Sequence, residues 1–158
     1  MASMNGVDNA GVIAPPPLIF LGAVAVGFVL QASIGGGPSL PAAVATPVGA
    51  VLIAAGVGLM GALVSAFGRA GTPLDPYAAS ESLVTDGPNR FSRNPLYLGA
   101  TLAYVGIAIV SGTSVALLPL AVALVVIDRG VIAREERYLE RRFGARYTEY
   151  KRRVRRWI

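Results

Sequence analysis

The stretch AAVATPVGAVLIAAGVGLMGALVSAF, residues 42–67, holds no charged side chain and decides the fold class. About 20 apolar residues in a helix cross a bilayer core of about 30 Å, so this run is long enough to span one. Working outward, no charge occurs between Asp8 and Arg69, or between Arg93 and Asp128. A soluble domain has about a quarter of its residues charged. Here the share is 15%, and the core of an ordinary soluble domain does not accommodate uncharged runs of this length. Further apolar runs cover residues 18–33, 95–111 and 115–132. The chain is therefore expected to be all-α and integral to the membrane, with four transmembrane helices followed by an amphipathic C-terminal helix.

Punctuation between the runs supports this division. Residues 1–14 are small, polar and unpatterned, and are expected to be flexible; they lack the Lys or Arg of a secretory n-region. Pro15-Pro16-Pro17 opens the first span, since proline fits a first helical turn. Gly35-Gly36-Gly37-Pro38 and Pro41 turn the chain into the second, where Gly49, Gly56, Gly58 and Gly61 read as a close-packing surface. Residues 68–94 form a long polar loop, of the kind that is functional or disordered. Pro95 starts the third span. Gly112-Thr113-Ser114 is so short a connection that spans three and four, residues 95–132, are expected to form an antiparallel hairpin.

Residues 133–158 are basic, with Tyr138, Leu139, Phe143, Tyr147, Tyr150, Val154 and Trp157 recurring at helical spacing and Gly144 as a weak point. All fourteen Lys and Arg lie in the 68–94 loop, at the end of the fourth run or in this segment. The positive-inside rule makes that end cytoplasmic, together with both termini. The expected location is the bacterial inner membrane, as a multi-pass protein. Beside apolar spans, a net charge of +5 implies attraction to the anionic headgroups of the lipid bilayer, not to nucleic acid.

Cysteine and histidine are both absent. Thiolate chemistry and the commonest general base and metal ligand are thereby excluded, and no metal is expected. The sharpest local feature is Glu135-Glu136. Helical ion pairs form at three or four residues' separation, yet neither glutamate has a cation at that spacing. Unpaired charge at a membrane edge is costly, so a cation from outside the helix should meet them, either Arg90 or Arg93 of the loop or a cationic ligand, unless they simply face water. Tyr97, one turn into the third span, reads by itself as an interfacial anchor, and Gly87-Pro88 as a turn.

Taken in order, Val84-Thr85-Asp86-Gly87-Pro88, Arg93-Asn94-Pro95-Leu96-Tyr97-Leu98-Gly99 and Glu135-Glu136 with Leu139, Phe143-Gly144, Tyr147 and Tyr150 form a more specific pattern. It resembles the isoprenylcysteine carboxyl methyltransferase and phospholipid methyltransferase families over residues 69–158. In those enzymes an Arg-His-Pro-x-Tyr-x-Gly motif and a Glu-Glu pair help to bind S-adenosylmethionine. The resemblance implies a methyltransferase using that cofactor on a lipophilic acceptor, such as a prenylcysteine-like carboxylate. It carries cofactor roles to Arg93, Asn94, Pro95, Tyr97, Gly99, Glu135 and Glu136, and also to Leu83, Val84, Thr85, Gly87 and Asn89. Arg93, Tyr97 and Glu135 are the expected catalytic residues. Asn94 stands where the motif has His, which keeps an amide hydrogen bond and removes a titratable group. Two other readings fit parts of the pattern: an NADPH-dependent sterol or enone reductase, and a non-catalytic lipid-binding protein anchored by Arg152, Arg153, Arg155 and Arg156.

Overall fold

Proline sets where the apolar helices begin. Pro16 and Pro95 occupy first turns, where a missing N–H is harmless, and Pro41 precedes the second helix as its cap. The computed structural model describes residues 10–35, 37, 39–75 and 77–158. Most of the N-terminal stretch expected to be flexible (residues 1–9), Gly36 and Pro38 of the first turn, and Pro76 of the loop lie outside the described residues. The helices are α1 Pro16–Ile34, α2 Ala42–Arg69, α3 Pro95–Val110, α4 Leu117–Val126, α5 Ala133–Phe143 and α6 Ala145–Arg153. Among the described residues there is no strand.

Three helices are long and apolar enough to cross a membrane: α1, α2 and the unbroken stretch Ser114–Phe143 that contains α4 and α5. Large apolar side chains stay exposed along them, with Val29 at 64%, Val51 at 67% and Leu118 at 65%. Apolar surface in such quantity belongs against lipid. α3 has 16 residues, about 24 Å of helix, and is apolar but shorter than the other three.

Glycine sets the register between α2 and α3. A Cβ on Gly99 would come within 2.8 Å of the Gly56 carbonyl oxygen, and one on Gly106 within 2.6 Å of that of Gly49. Seven residues separate the two contacts on each helix, in opposite directions, so the helices run antiparallel with their backbones nearly touching. Gly58 and Gly61 have nothing within 4 Å. The glycine-bearing surface expected of this span therefore divides, half of it packed and half open.

α4 lies chiefly against α1, where Gly27 admits Ala116. Tyr104 joins the pairs: its hydroxyl lies 3.0 Å from the carbonyl of Ala23 and 2.8 Å from that of Ala116, so one proton serves two acceptors. A short turn does link α3 to α4, but the long contact of α3 is with α2. The glycine pairs allow that closer approach, which outweighs the nearness in sequence expected to make a hairpin. Gly37 packs near Ser114, which puts the two uncharged turns at one end. The charged loop, the end of α2 and the start of α5 gather at the other.

The end of the fourth apolar run is not a break. A π-helical turn, Ile127–Ile132, carries the helix from α4 into α5, and the wider turn keeps Ile127, Val131 and Ile132 all fully buried. Val12 joins this cluster and Arg134 donates to the Gly11 carbonyl at 2.9 Å, so the chain just before α1 is tied to the helices at these two points. The C-terminal segment is two helices, not one. Gly144, at φ +54°, ends α5 in the left-handed conformation that glycine adopts readily. After α6, Val154 is extended and the tail returns alongside residues 92–94.

The α2–α3 contact yields a test. Gly56→Val places side-chain atoms into the backbone of Gly99 and Ala103, and should destabilise the protein by about 1–3 kcal/mol. Gly58→Ala meets open space and should leave it unchanged. Thermal unfolding in detergent, read by circular dichroism, measures both.

Candidate functional site

The charged end is built by pinning the long loop onto α5 and α6. The Ser80 amide donates to the Tyr138 hydroxyl at 3.0 Å, and Arg142 Nε donates to the Ser80 carbonyl at 3.1 Å. The Tyr150 hydroxyl donates to the Asn89 carbonyl at 2.7 Å. Burial pushes the Tyr150 hydroxyl up to about 12, with Arg93 opposing, and it therefore remains a donor at any ordinary pH. Tyr147 beside it is almost fully buried, and burial followed by nearby Glu136 holds its hydroxyl well above the usual range against the opposing pull of Arg93.

The two adjacent glutamates have different fates. Glu136 is buried between two arginines: Arg93 Nη1 lies 2.8 Å from one oxygen, and Arg156 Nη2 lies 2.6 Å from the other. Arg156 also contacts Asp128 at 3.1 Å, and the Trp157 indole donates to Asp128 at 3.2 Å. The Arg156 guanidinium is held above its ordinary value by its hydrogen bond to Glu136, with burial opposing and Asp128 adding to the rise. The contact from Arg93 to Glu136 is ionic and off the N–H axes, because neither Nη1 nor Nε of Arg93 makes a directed hydrogen bond. Glu135 is different. It accepts a hydrogen bond from the Tyr97 hydroxyl at 2.8 Å, and among the described residues no cation pairs with it. The cation expected from outside the helix thus reaches one glutamate and leaves the other open.

These groups line an open cavity at the charged end. Of the residues singled out by sequence, Leu83, Val84, Asn89, Arg93, Asn94, Pro95, Tyr97, Glu135 and Glu136 lie on its wall. Thr85 and Gly87 do not line it. Gly87 is a left-handed turn position next to Ala66. Gly99 is also away from the wall, occupied in the contact with Gly56. Asn94, at the position of the family histidine, donates through Nδ2 to the Arg156 carbonyl at 2.9 Å, while the Arg93 amide donates to the Arg155 carbonyl at 3.0 Å. Asn94 therefore ties the tail to the start of α3.

Sequence reasoning missed several wall residues. Leu63 and Phe67, at the end of α2, look like ordinary lipid-facing positions, and Leu74 and Asp75 sit in a loop without a motif. Arg156 lies in a run of arginines where spacing alone marks none of them as buried. Tyr138, Tyr147 and Tyr150 were visible as an aromatic stripe, and the structure turns that stripe onto the cavity.

Three buried donor atoms around the cavity have no hydrogen-bond partner: Asn89 Nδ2, and Nε and Nη1 of Arg93, the last in ionic contact with Glu136. Buried polar groups are nearly always satisfied, and unsatisfied ones often mark a ligand site. With Glu135 as an open carboxylate, the cavity offers donors for an anionic group and an acceptor for a cationic one, between walls of Phe, Leu and Tyr.

A helical membrane protein with an open pocket lined by charged and apolar groups at its charged end has the form of a membrane enzyme. Residues 44–146, more than half of the chain, match the phospholipid methyltransferase family, and the chain belongs to it. It is thus a membrane methyltransferase by family, in agreement with the resemblance of its three motifs. It is also 41% identical over 63 residues to an uncharacterized protein of Haemophilus influenzae, a match covering 40% of this chain and all of that relative. No solved structure matches it.

The contrast between the glutamates is testable by stability. Glu136→Gln leaves the Arg93 guanidinium, nearly buried, and the partly buried Arg156 without their shared carboxylate and should cost about 3–5 kcal/mol. Glu135→Gln removes no ion pair and should change stability by less than about 1 kcal/mol. Denaturant or thermal unfolding of the two variants in the same detergent compares them directly.

Proposed function

We propose that the cavity binds S-adenosylmethionine and that the protein transfers its methyl group to a lipophilic acceptor reaching the pocket from the bilayer. The observation that carries this reading is the set of unsatisfied groups: Glu135 open to a cation, Asn89 Nδ2 and Arg93 Nε open to an anion, on one cavity. An α-amino acid carries both charges, and the cofactor of this reading ends in one. Glu135, steadied by the Tyr97 hydroxyl, accepts the ammonium. Arg93 and Asn89 donate to the carboxylate. The volume beyond them and its aromatic walls suit the adenosyl part.

Bound there, S-adenosylmethionine supplies an electrophilic methyl on a sulfonium centre. The chain's residues have to align and to exclude water, since an in-line displacement mainly needs positioning and desolvation. Arg93, Tyr97 and Glu135 hold the amino-acid end and so orient the methyl group, and Leu63, Phe67 and Leu96 keep water from it. A carboxylate acceptor such as a prenylcysteine-like group needs no general base because it is ionised at neutral pH. A chain without histidine suits such an acceptor. In this reading α3 is a fourth, short span, the charged end faces the cytoplasm with both termini, and the membrane is a bacterial inner membrane.

Titration calorimetry in detergent tests the cofactor. S-adenosylhomocysteine should bind the wild type, and Glu135→Gln should weaken it about tenfold or more, the worth of a charge-assisted hydrogen bond. Absence of binding to the wild type, or oxidation of added NADPH by it, would overturn the reading.

A further inference from the structure

The C-terminal tail carries a residue that neither the motifs nor the family pattern marks. Of the arginines after α6, Arg155 is exposed, whereas Arg156 is partly buried and turned inward. It meets Glu136 through two nitrogens, Nη2 at 2.6 Å and Nε at 3.2 Å, and Asp128 through the third. Arg93, Glu136, Arg156 and Asp128 therefore form a linked series of alternating charges, with Arg129 in a longer contact with Asp128 at 3.7 Å.

The geometry points to Arg156 as a positioning residue for the cofactor pocket, one that satisfies Glu136 from behind so that Arg93 keeps a free donor for the ligand's carboxylate. This rests on the reading of the cavity given above. Glu136 has 9% of its side chain exposed and cannot turn to water for hydrogen bonds. Arg156 supplies directed bonds to both of its oxygens. Arg93 therefore adds charge without a directed hydrogen bond from Nη1 or Nε, although its guanidinium also bonds Tyr147, and its Nε stays unpartnered beside the cavity. Without Arg156, the buried carboxylate draws the Arg93 guanidinium into a two-pronged pair, the geometry that arginine and carboxylate prefer. The donor is then spent inside the protein and lost to the ligand. The tail is held in place for this task by backbone and amide contacts. The Arg155 carbonyl accepts from the Arg93 amide, and the Arg156 carbonyl accepts from Asn94 Nδ2 at 2.9 Å and Ser92 Oγ at 3.3 Å.

Two ligands separate positioning from a merely structural role. S-adenosylhomocysteine carries the amino-acid carboxylate, and 5′-methylthioadenosine lacks the whole amino-acid part. In calorimetry on the full chain in detergent, Arg156→Gln should bind the first about tenfold more weakly and the second unchanged. Arg156→Lys, which keeps the charge without the fork, should fall between wild type and Arg156→Gln, and it carries the comparison if Arg156→Gln does not fold. Equal weakening of both ligands would show a structural role and overturn the inference. So would unchanged affinity for both. A wild type that binds neither ligand overturns the cavity reading itself, and the role of Arg156 with it.

Discussion

A carboxylate taken out of water must be met by cations and hydrogen-bond donors from the protein. Glu136 is such a group, and meeting it organises the whole charged end. Arg93 comes from the end of the long loop, Arg156 from the C-terminal tail, and Asp128 shares Arg156 from the end of the fourth apolar run. The loop and the tail, far apart in sequence, converge on the helix that carries Asp128 and Glu136 for this reason. The neighbouring Glu135 rides on the same helix, turned by about 100°, and among the described residues its carboxylate is held by the Tyr97 hydroxyl. One glutamate thus serves the fold and leaves the other available for chemistry.

Where that end sits depends on the apolar helices beneath it. The contacts of Gly56 with Gly99 and of Gly49 with Gly106 fix how far α3 slides along α2, and hence the height of Tyr97 over the cavity. Tyr104 then fixes α3 against α1 and the start of α4 by giving its hydroxyl to backbone carbonyls in an apolar interior. The π-helical turn does the same for the opposite wall. It rotates α5 relative to α4 while keeping Ile127, Val131 and Ile132 buried, and so sets the direction in which Glu135 and Glu136 point.

Much of this was legible from residues. The uncharged runs announced apolar helices, the prolines their starts, and the missing helical partners of Glu135 and Glu136 the need for a cation from elsewhere. Spacing did not reveal which glutamate would receive it, because the choice turns on the loop and the tail. Gly99 sat in a cofactor motif, yet its lack of a side chain is used by α2. Asn94 keeps the hydrogen-bonding capacity foreseen for it and applies it to the tail.

By itself, the sequence determined an all-helical membrane protein with its charge gathered outside long apolar runs, because hydrophobicity and helical period are local properties of the chain. Its motifs determined the family for the same reason. Only the tertiary structure decided that α3 packs chiefly on α2 and that Arg156 turns inward from a run of like residues. Those outcomes rest on close backbone approach and on satisfying buried charge. Both are relations between distant segments, and no stretch of sequence carries them alone.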